Sequence, residues 1–302
     1  MLSRTPGAIS LILHGLRSRG YLDLLRPANV VTALADVLAG YAVAGRPDPG
    51  SLPWLLGATS CLYAGGVVLN DFFDRDIDRI ERPERPIPSG RVTAAGAAVT
   101  GALLLTAGVA LASQATRTAL LIGFAIAGFV LLYDAWGKRH PAIAPANMAL
   151  CRALNLLLGV AAAPPALDDR WPIALIPFAY IFGVTVLSRG EVHGGRRQAA
   201  TVALISLSAA LLGLAFLVFR SGQIFVSALV LAFLAWRVVP PFLRARTNPE
   251  PARIRTAVVR GVLSLVLVNA VIGTVYAGPV FGAVILATGL VAGWLARMFA
   301  VT

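Results

Sequence analysis

Charged residues are scarce in this chain of 302 residues. They form 13% of it, whereas hydrophobic residues form 58% and the mean hydropathy is +0.78. A soluble domain contains about 25% charged residues, because it must cover itself with polar surface. The scarcity of charge therefore excludes an ordinary soluble protein and predicts one that buries its surface in lipid.

Cysteine and histidine are also rare, with two and three residues respectively. Cys61 and Cys151 both fall inside apolar segments, where cysteine behaves as a small core residue. We therefore expect neither a disulfide nor a cysteine metal site.

Long apolar runs are the most prominent feature of the sequence. A helix needs about 20 apolar residues to cross a bilayer core. Ten such runs are present, none with the alternation of a membrane β-strand, and they cover residues 27–45, 53–72, 93–112, 117–134, 144–162, 171–188, 199–219, 222–240, 257–277 and 280–299. We predict an all-α, polytopic membrane bundle of nine to ten transmembrane helices in one domain, residues 26–302. Residues 1–25 are expected to form an amphipathic cytoplasmic lead-in and not a cleaved secretory signal.

The distribution of basic residues predicts the orientation. With the N-terminus inside, twenty of the 26 lysines and arginines fall in the inside loops, against four outside, namely Arg46, Arg117, Arg170 and Arg220. Because short cytoplasmic loops are rich in Lys and Arg, we expect a cytoplasmic N-terminus in the cell (inner) membrane. The net charge of +12 then follows from topology and attraction to anionic lipid, so no nucleic-acid partner is expected.

Acidic residues concentrate at the end of the second apolar segment, where residues 71–84 contain six of the 14. On a continuing helix, Asp76 points away from an arc of about 100° that is shared by Asn70, Asp71, Asp74 and Asp78. Carboxylates on one face repel one another, and the dipole at a helix C-terminus adds to this cost. We expect arginines or a hard divalent ion such as Mg²⁺ to compensate them. The alternative is a solvated charged loop.

Two other loops on the same predicted side supply cations. Lys138 and Arg139 follow the fourth segment, and Arg189 follows the sixth, in a loop that also contains Glu191 and His193. Carboxylates for a metal, together with basic residues for anionic oxygens, predict a diphosphate site at the cytoplasmic membrane surface. The positive-inside rule alone also places Lys138 and Arg139 here, and a lone loop histidine is more often solvated than a ligand.

Polar residues inside the apolar segments indicate a cavity or a structural pair. They are Asn29, Asp36, Arg152, Asn155 and Asn269. Charge within lipid is costly and normally faces a cavity or a partner, and Asp36 and Arg152 can also simply pair with each other.

A weak internal repeat relates the two halves of the chain. Residues 36–40 resemble residues 155–159 at an offset of 119, and Asp71 aligns with Glu191 at an offset of 120. Repeats in membrane proteins often have the functional site between the halves. We therefore predict a pseudo-repeat of two four-helix halves.

The acidic segment Asn70-Asp71-x-x-Asp74-x-x-x-Asp78 resembles the first aspartate-rich motif of the UbiA superfamily of intramembrane prenyltransferases. Three further segments are similar to that family, namely Leu25-Arg26-Pro27-x-Asn29, Arg85-Pro86-Ile87-Pro88-Ser89-Gly90, and Tyr133 with Lys138-Arg139. The resemblance extends from about residue 25 to the end of the chain.

This resemblance implies a helical bundle around a central cavity that opens to the bilayer. Asp71, Asp74 and Asp78, with Asn70, would bind Mg²⁺ and an isoprenyl diphosphate, and Glu191 would be the remaining metal ligand. Diphosphate binding is assigned to Lys138 and Arg139, aided by Asn29, Arg75, Arg82 and Arg189. Tyr133 and Arg152 would act at the reacting centre, where ionisation leaves an allylic carbocation that a lipophilic or aromatic acceptor captures.

Two features depart from the family's pattern. Its second motif normally carries two aspartates after helix six, whereas Glu191 is the only acid here, with His193 beside it. Ten apolar segments also replace the usual nine. The predicted function is transfer of a prenyl group. The alternatives are an intramembrane terpene cyclase of the same fold and a non-catalytic transporter or lipid-binding relative.

Overall fold

A computed structural model describes residues 19–141 and 143–299 of the chain. Most of the predicted N-terminal lead-in lies outside these residues, and its described part, residues 19–25, is largely helical. The described residues contain helices and turns but no strand, which agrees with the all-α prediction.

Ten long helices follow one another in the described residues. They are α1 (Pro27–Val43), α2 (Leu52–Glu81), α3 (Ala94–Ala115), α4 (Arg117–Ala135), α5 (Ile143–Val160), α6 (Leu175–Ser188), α7 (Arg197–Phe219), α8 (Ile224–Thr247), α9 (Pro251–Ala277) and α10 (Pro279–Leu295). Each corresponds to one predicted segment, so the prediction of an all-α bundle of about this many helices is confirmed.

Length and composition qualify eight of these helices, α2 to α9, to cross a membrane. The spanning stretch that includes α6 begins earlier, at Ala166. Helices α1 and α10 have 17 residues each. Large apolar side chains such as Phe124 on α4, Phe216 on α7 and Trp236 on α8 are exposed on the outside of the bundle, as lipid contact requires.

Two hydrophobic cores meet at the centre of the bundle. One is built from α1 to α5, and the other from α1 and α5 together with α6 to α10. Helices α1 and α5 belong to both cores, so they join the two halves of the chain. They are the first helices of the two predicted repeats.

Two glycines at equivalent repeat positions allow α1 and α5 to touch. A Cβ atom added to Gly40 would lie 2.0 Å from the carbonyl oxygen of Leu156, and one added to Gly159 would lie 2.2 Å from that of Val37. Any side chain at either position would separate the helices, as at small-residue contacts between membrane helices. The reciprocal contact supports the predicted pseudo-repeat of four-helix halves.

Two element boundaries differ from the sequence prediction. Helix α2 continues nine residues beyond the predicted end of its apolar segment, so the acidic motif is helical throughout. Helix α8 also runs past its predicted end, through Pro240 and Pro241. Arg237 lies within this helix, where its Nε donates a hydrogen bond to Ser264 Oγ at 2.9 Å.

We predict that Gly159→Ala lowers the free energy of unfolding by about 1–3 kcal/mol, because an inserted methyl group over-packs the α1–α5 contact. Thermal unfolding of the detergent-solubilised protein measures the loss. Gly128→Ala on α4 is the matched control, since nothing lies within 4 Å of its added Cβ. A Gly159→Ala variant as stable as Gly128→Ala would contradict the close contact.

Candidate functional site

The acidic end of α2 forms one wall of a polar cavity of about 630 Å³. Asn70, Asp74 and Asp78 line this polar cavity, as the helical spacing predicted. Asp76 lies outside it, with an exposed side chain that pairs with Arg79 at 3.1 Å. Asp71 is buried, and lines a neighbouring second polar cavity of about 450 Å³.

Basic side chains compensate the three buried or half-buried carboxylates. Arg85 Nη1 lies 3.2 Å from Asp71 Oδ1 and 2.8 Å from Asp78 Oδ2, so one guanidinium bridges two acids. Arg26 Nη2 lies 2.6 Å from Asp71 Oδ1. The expected compensation by arginines is therefore present in this structure, although the sequence prediction did not single out these two.

The two cationic loops converge on the same cavity. Lys138 Nζ lies 2.7 Å from Asp74 Oδ1 and is thereby positioned opposite the acidic motif. Arg82, Arg139 and Arg189 also line the cavity but form no salt bridge within the described residues. Three separate loops, after α2, α4 and α6, therefore supply guanidinium groups to one polar cavity.

Arg75, His193 and Glu191, which the sequence analysis singled out, lie in three different environments. Arg75 is not among the residues that line the cavity, because its guanidinium lies 4.7 Å from the Phe72 ring centroid and donates to the Phe72 carbonyl oxygen. His193 does not line the cavity either. Its side chain is 84% exposed, as expected of a solvated loop histidine. Glu191 does line the cavity. Burial raises the pKa of its carboxyl group, and Arg82 and Arg255 oppose this rise.

An apolar cavity of about 210 Å³ adjoins the polar one on the membrane side. Leu62, Val67, Ile126 and Val130 form much of its wall. Seven residues line both cavities, and they are Arg26, Asn29, Tyr63, Asn70, Tyr133, Met148 and Arg152. The polar space therefore continues into an apolar one between α2, α4 and α5.

Arg152 lies where the two cavities meet and belongs to a buried polar network. Its Nε is 2.9 Å from Asp36 Oδ2, which confirms the predicted pairing of these two residues. Its Nη2 donates to Thr32 Oγ1 at 3.1 Å, and its guanidinium lies 5.3 Å from the Tyr63 ring centroid. Both oxygens of Asp36 accept further bonds, at 2.9 Å from Asn155 Nδ2 and 2.6 Å from Asn269 Nδ2. The network ties α1, α5 and α9 together.

Asp134 is a site residue that the sequence prediction missed. Its Oδ1 accepts a hydrogen bond from Asn70 Nδ2 at 3.0 Å, and it lines the apolar cavity. This bond orients the Asn70 amide and leaves the amide oxygen of Asn70 for another partner. Its position in the sequence, between the predicted site residues Tyr133 and Lys138, could have indicated that Asp134 belongs to the site.

The acidic motif offers the kinds of donor atom that a hard divalent cation prefers. Asn70, Asp74 and Asp78 present amide and carboxylate oxygens to the polar cavity, which is the chemistry that Mg²⁺ prefers. In the described residues no three acidic, histidine or cysteine side chains are arranged as a metal-binding group. Lys138 and Arg85 hold the carboxylates instead, so an incoming cation has to displace them.

Together, the fold and the two cavities define a polytopic helical membrane protein with a charged chamber that opens into an apolar one. The sequence model of the UbiA prenyltransferase family matches residues 30–257 of the chain. The chain therefore belongs to the UbiA prenyltransferase family.

Several archaeal relatives share about a third of the aligned residues. Digeranylgeranylglyceryl phosphate synthase of Methanoculleus marisnigri is 36% identical over 59% of this chain and 66% of its own length. The Methanoregula boonei enzyme of that name is 33% identical over 63% of this chain and 68% of its own length. The chain thus spans about two thirds of the length of these two relatives.

Solved structures share the fold. A UbiA homologue from Aeropyrum pernix K1 has a TM-score of 0.67 and 16% identity, over 86% of this chain and 98% of its own. A homologue from Archaeoglobus fulgidus bound to GPP and Mg²⁺ has a TM-score of 0.62 and 15% identity, over 90% and 99% of the two chains.

We predict that Asp36→Asn destabilises the protein by about 3–5 kcal/mol, because it leaves the Arg152 guanidinium buried without its carboxylate. The free energy of unfolding in detergent micelles measures the effect. The double variant Asp36→Asn/Arg152→Met removes the stranded charge and should recover part of the loss. A double variant no more stable than Asp36→Asn would contradict the role of this pair.

Proposed function

We propose that this protein transfers a prenyl group from an isoprenyl diphosphate to a lipophilic acceptor within the membrane. The observation that carries the proposal is the junction of the two cavities. One chamber combines acidic donors with the cations Arg82, Arg139 and Arg189, and it opens into an apolar chamber. A diphosphate and a hydrocarbon chain of one molecule fit these two environments.

Binding of the diphosphate uses the cationic side chains. Arg139 and Arg189 form no salt bridge within the described residues, Arg82 lies near Glu191 without a close salt bridge, and Lys138 can turn from Asp74 to the incoming anion. The residues proposed to hold Mg²⁺ are Asp74 and Asp78 with Asn70, and bound Mg²⁺ supplies Lewis-acid stabilisation of the diphosphate oxygens. The predicted metal contact of Asp71 stays a prediction, because this residue is held by Arg26 and Arg85 behind the cavity wall.

Ionisation breaks the bond between the prenyl C1 and the diphosphate oxygen, and the electron pair leaves with the diphosphate. The cations stabilise this charge most strongly in the transition state, which accelerates the step. The allylic cation then lies in the apolar chamber beside the rings of Tyr63 and Tyr133, whose faces attract positive charge. The apolar walls exclude water until the acceptor attacks C1 and loses its proton.

The choice of acceptor rests on the relatives of the chain. The archaeal relatives carry the name of an enzyme that makes digeranylgeranylglyceryl phosphate. This favours a prenylated glyceryl phosphate as the first acceptor to test, with an aromatic compound second. The absence of an acceptor requirement would instead favour a terpene cyclase.

We predict that the purified protein releases diphosphate from a labelled isoprenyl diphosphate only when Mg²⁺ is present. Asp74→Asn should lower the rate about 100-fold or more, because it weakens stabilisation of the leaving group. Geranyl and geranylgeranyl diphosphate are tested with and without the two acceptors, and product is separated by chromatography.

Asp76→Asn is the matched control on the same helix. Its carboxylate is exposed and pairs with Arg79, so the rate should not change. If the wild-type protein releases no diphosphate from any of these substrates, the proposal is wrong. Hydrocarbon formation without an acceptor would replace transfer by cyclisation.

We also propose that the polar cavity opens at the cytoplasmic side. In a variant without Cys61 and Cys151, His193→Cys should react with an impermeant thiol reagent only in inverted vesicles, since this position is exposed beside the cavity. Gly222→Cys, between α7 and α8, should react only in intact cells. The opposite pattern would reverse the orientation derived from the basic residues.

A further inference from the structure

The loop that follows α6 faces the acidic motif across the polar cavity. Residues 190–195 of this loop contain three glycines and one carboxylate, Glu191. Arg189 and Glu191 of this loop line the cavity, together with Arg82 at the end of α2 and with Asp74 and Asp78 of α2 itself. The loop after α6 therefore brings one guanidinium and one carboxylate to the cavity.

A close backbone contact leaves no room for a further acidic side chain at one position of the loop, and a side-chain contact restricts a second position. A Cβ atom added to Gly190 would lie 2.8 Å from the Cα atom of Gly195, and one added to Gly195 would lie 2.8 Å from Ile254 Cδ1. The Gly195 amide also donates to the Pro249 carbonyl oxygen at 3.0 Å, which fixes the loop against the start of α9. Gly190 therefore requires glycine, whereas a side chain at Gly195 would have to displace the end of the Ile254 side chain.

His193, the other possible metal donor of the loop, points away from Asp74 and Asp78. The His193 side chain is 84% exposed, and its Nε2 lies 4.0 Å from Glu81 Oε1 instead of facing Asp74 or Asp78. Glu191 is thus the single metal-type donor that this wall brings to the polar cavity. One carboxylate is a poor basis for a divalent site, which normally combines several oxygen ligands.

Guanidinium groups surround Glu191. Arg82 and Glu191 both line the polar cavity and the second polar cavity. Arg255 of α9 also lines the second cavity. Arg189, two residues earlier in the same loop, forms no salt bridge within the described part of the chain. A divalent cation beside Glu191 would therefore meet strong repulsion from fixed positive charge.

We propose that the diphosphate is bound with a single divalent cation, held at Asn70, Asp74 and Asp78, and that Arg82 and Arg189 neutralise its opposite side. Glu191 is then a positioning residue that balances the charge of Arg82 and Arg255, and not a metal ligand as the sequence predicted. This inference rests on the proposed function, since it concerns binding of the same diphosphate.

Counting bound ions tests the inference directly. The purified protein is saturated with geranylgeranyl S-thiolodiphosphate, whose carbon–sulfur bond resists ionisation, and titrated with Mn²⁺ under electron paramagnetic resonance. We expect one bound Mn²⁺ per chain, without the spin coupling of a close Mn²⁺ pair. Glu191→Gln should still bind one ion, whereas Asp74→Asn should bind none.

Substitution of the cations supplies the second measurement. Arg82→Gln should weaken binding of the thiolodiphosphate about 10- to 100-fold, the usual effect of losing a hydrogen bond to a charged group, without changing the ion count. Asp76→Asn should change neither quantity. Size-exclusion chromatography and thermal unfolding establish that each variant is folded.

Two bound Mn²⁺ ions per chain, or loss of an ion in Glu191→Gln, would overturn the single-ion inference. Either result, obtained with a protein that releases diphosphate, leaves the proposed prenyl transfer intact. A wild-type protein that binds no Mn²⁺ and releases no diphosphate would instead overturn the proposed function itself.

Discussion

Repulsion among the carboxylates at the end of α2 is the constraint on which the site depends. Asp71, Asp74 and Asp78 lie close together at the C-terminal end of α2, where three negative charges repel one another. Arg26, Arg85 and Lys138 approach within 3.2 Å of these acids. The partners come from three parts of the chain, so electrostatic compensation also joins the helix ends into one chamber.

Charge buried at the centre of the bundle is compensated in a different way. Asp36 and Arg152 are buried between α1 and α5 at a depth where charge is costly, and they satisfy each other together with two asparagines. The glycine contact at Gly40 and Gly159 lets the same two helices approach closely. Close contact and charge pairing therefore act on one helix pair, which holds the two halves of the protein together.

Much of this arrangement follows from local rules, and part of it does not. The common face of Asn70, Asp74 and Asp78 was predictable because α2 stays helical to Glu81, so its angular spacing holds. The bridging position of Arg85 was not, because it depends on how the proline-rich loop folds back over α2. The present position of Arg75 was not predictable either: it lies near the acidic face in angle, yet its long side chain turns to the Phe72 ring, so its predicted diphosphate contact stays a prediction. The surroundings of Glu191 depend on the distant residue Arg255, which no local pattern connects to it.

The bridging guanidinium of Arg85 has a thermodynamic consequence. Because it and Lys138 occupy the oxygens that a cation needs, metal binding alone strands two positive charges, whereas diphosphate binding gives them an anion to contact. Each ligand therefore raises the affinity of the chain for the other, and by the same factor, since such coupling is reciprocal. Under the proposed function, such a chamber binds metal and diphosphate more tightly together than it binds either one alone.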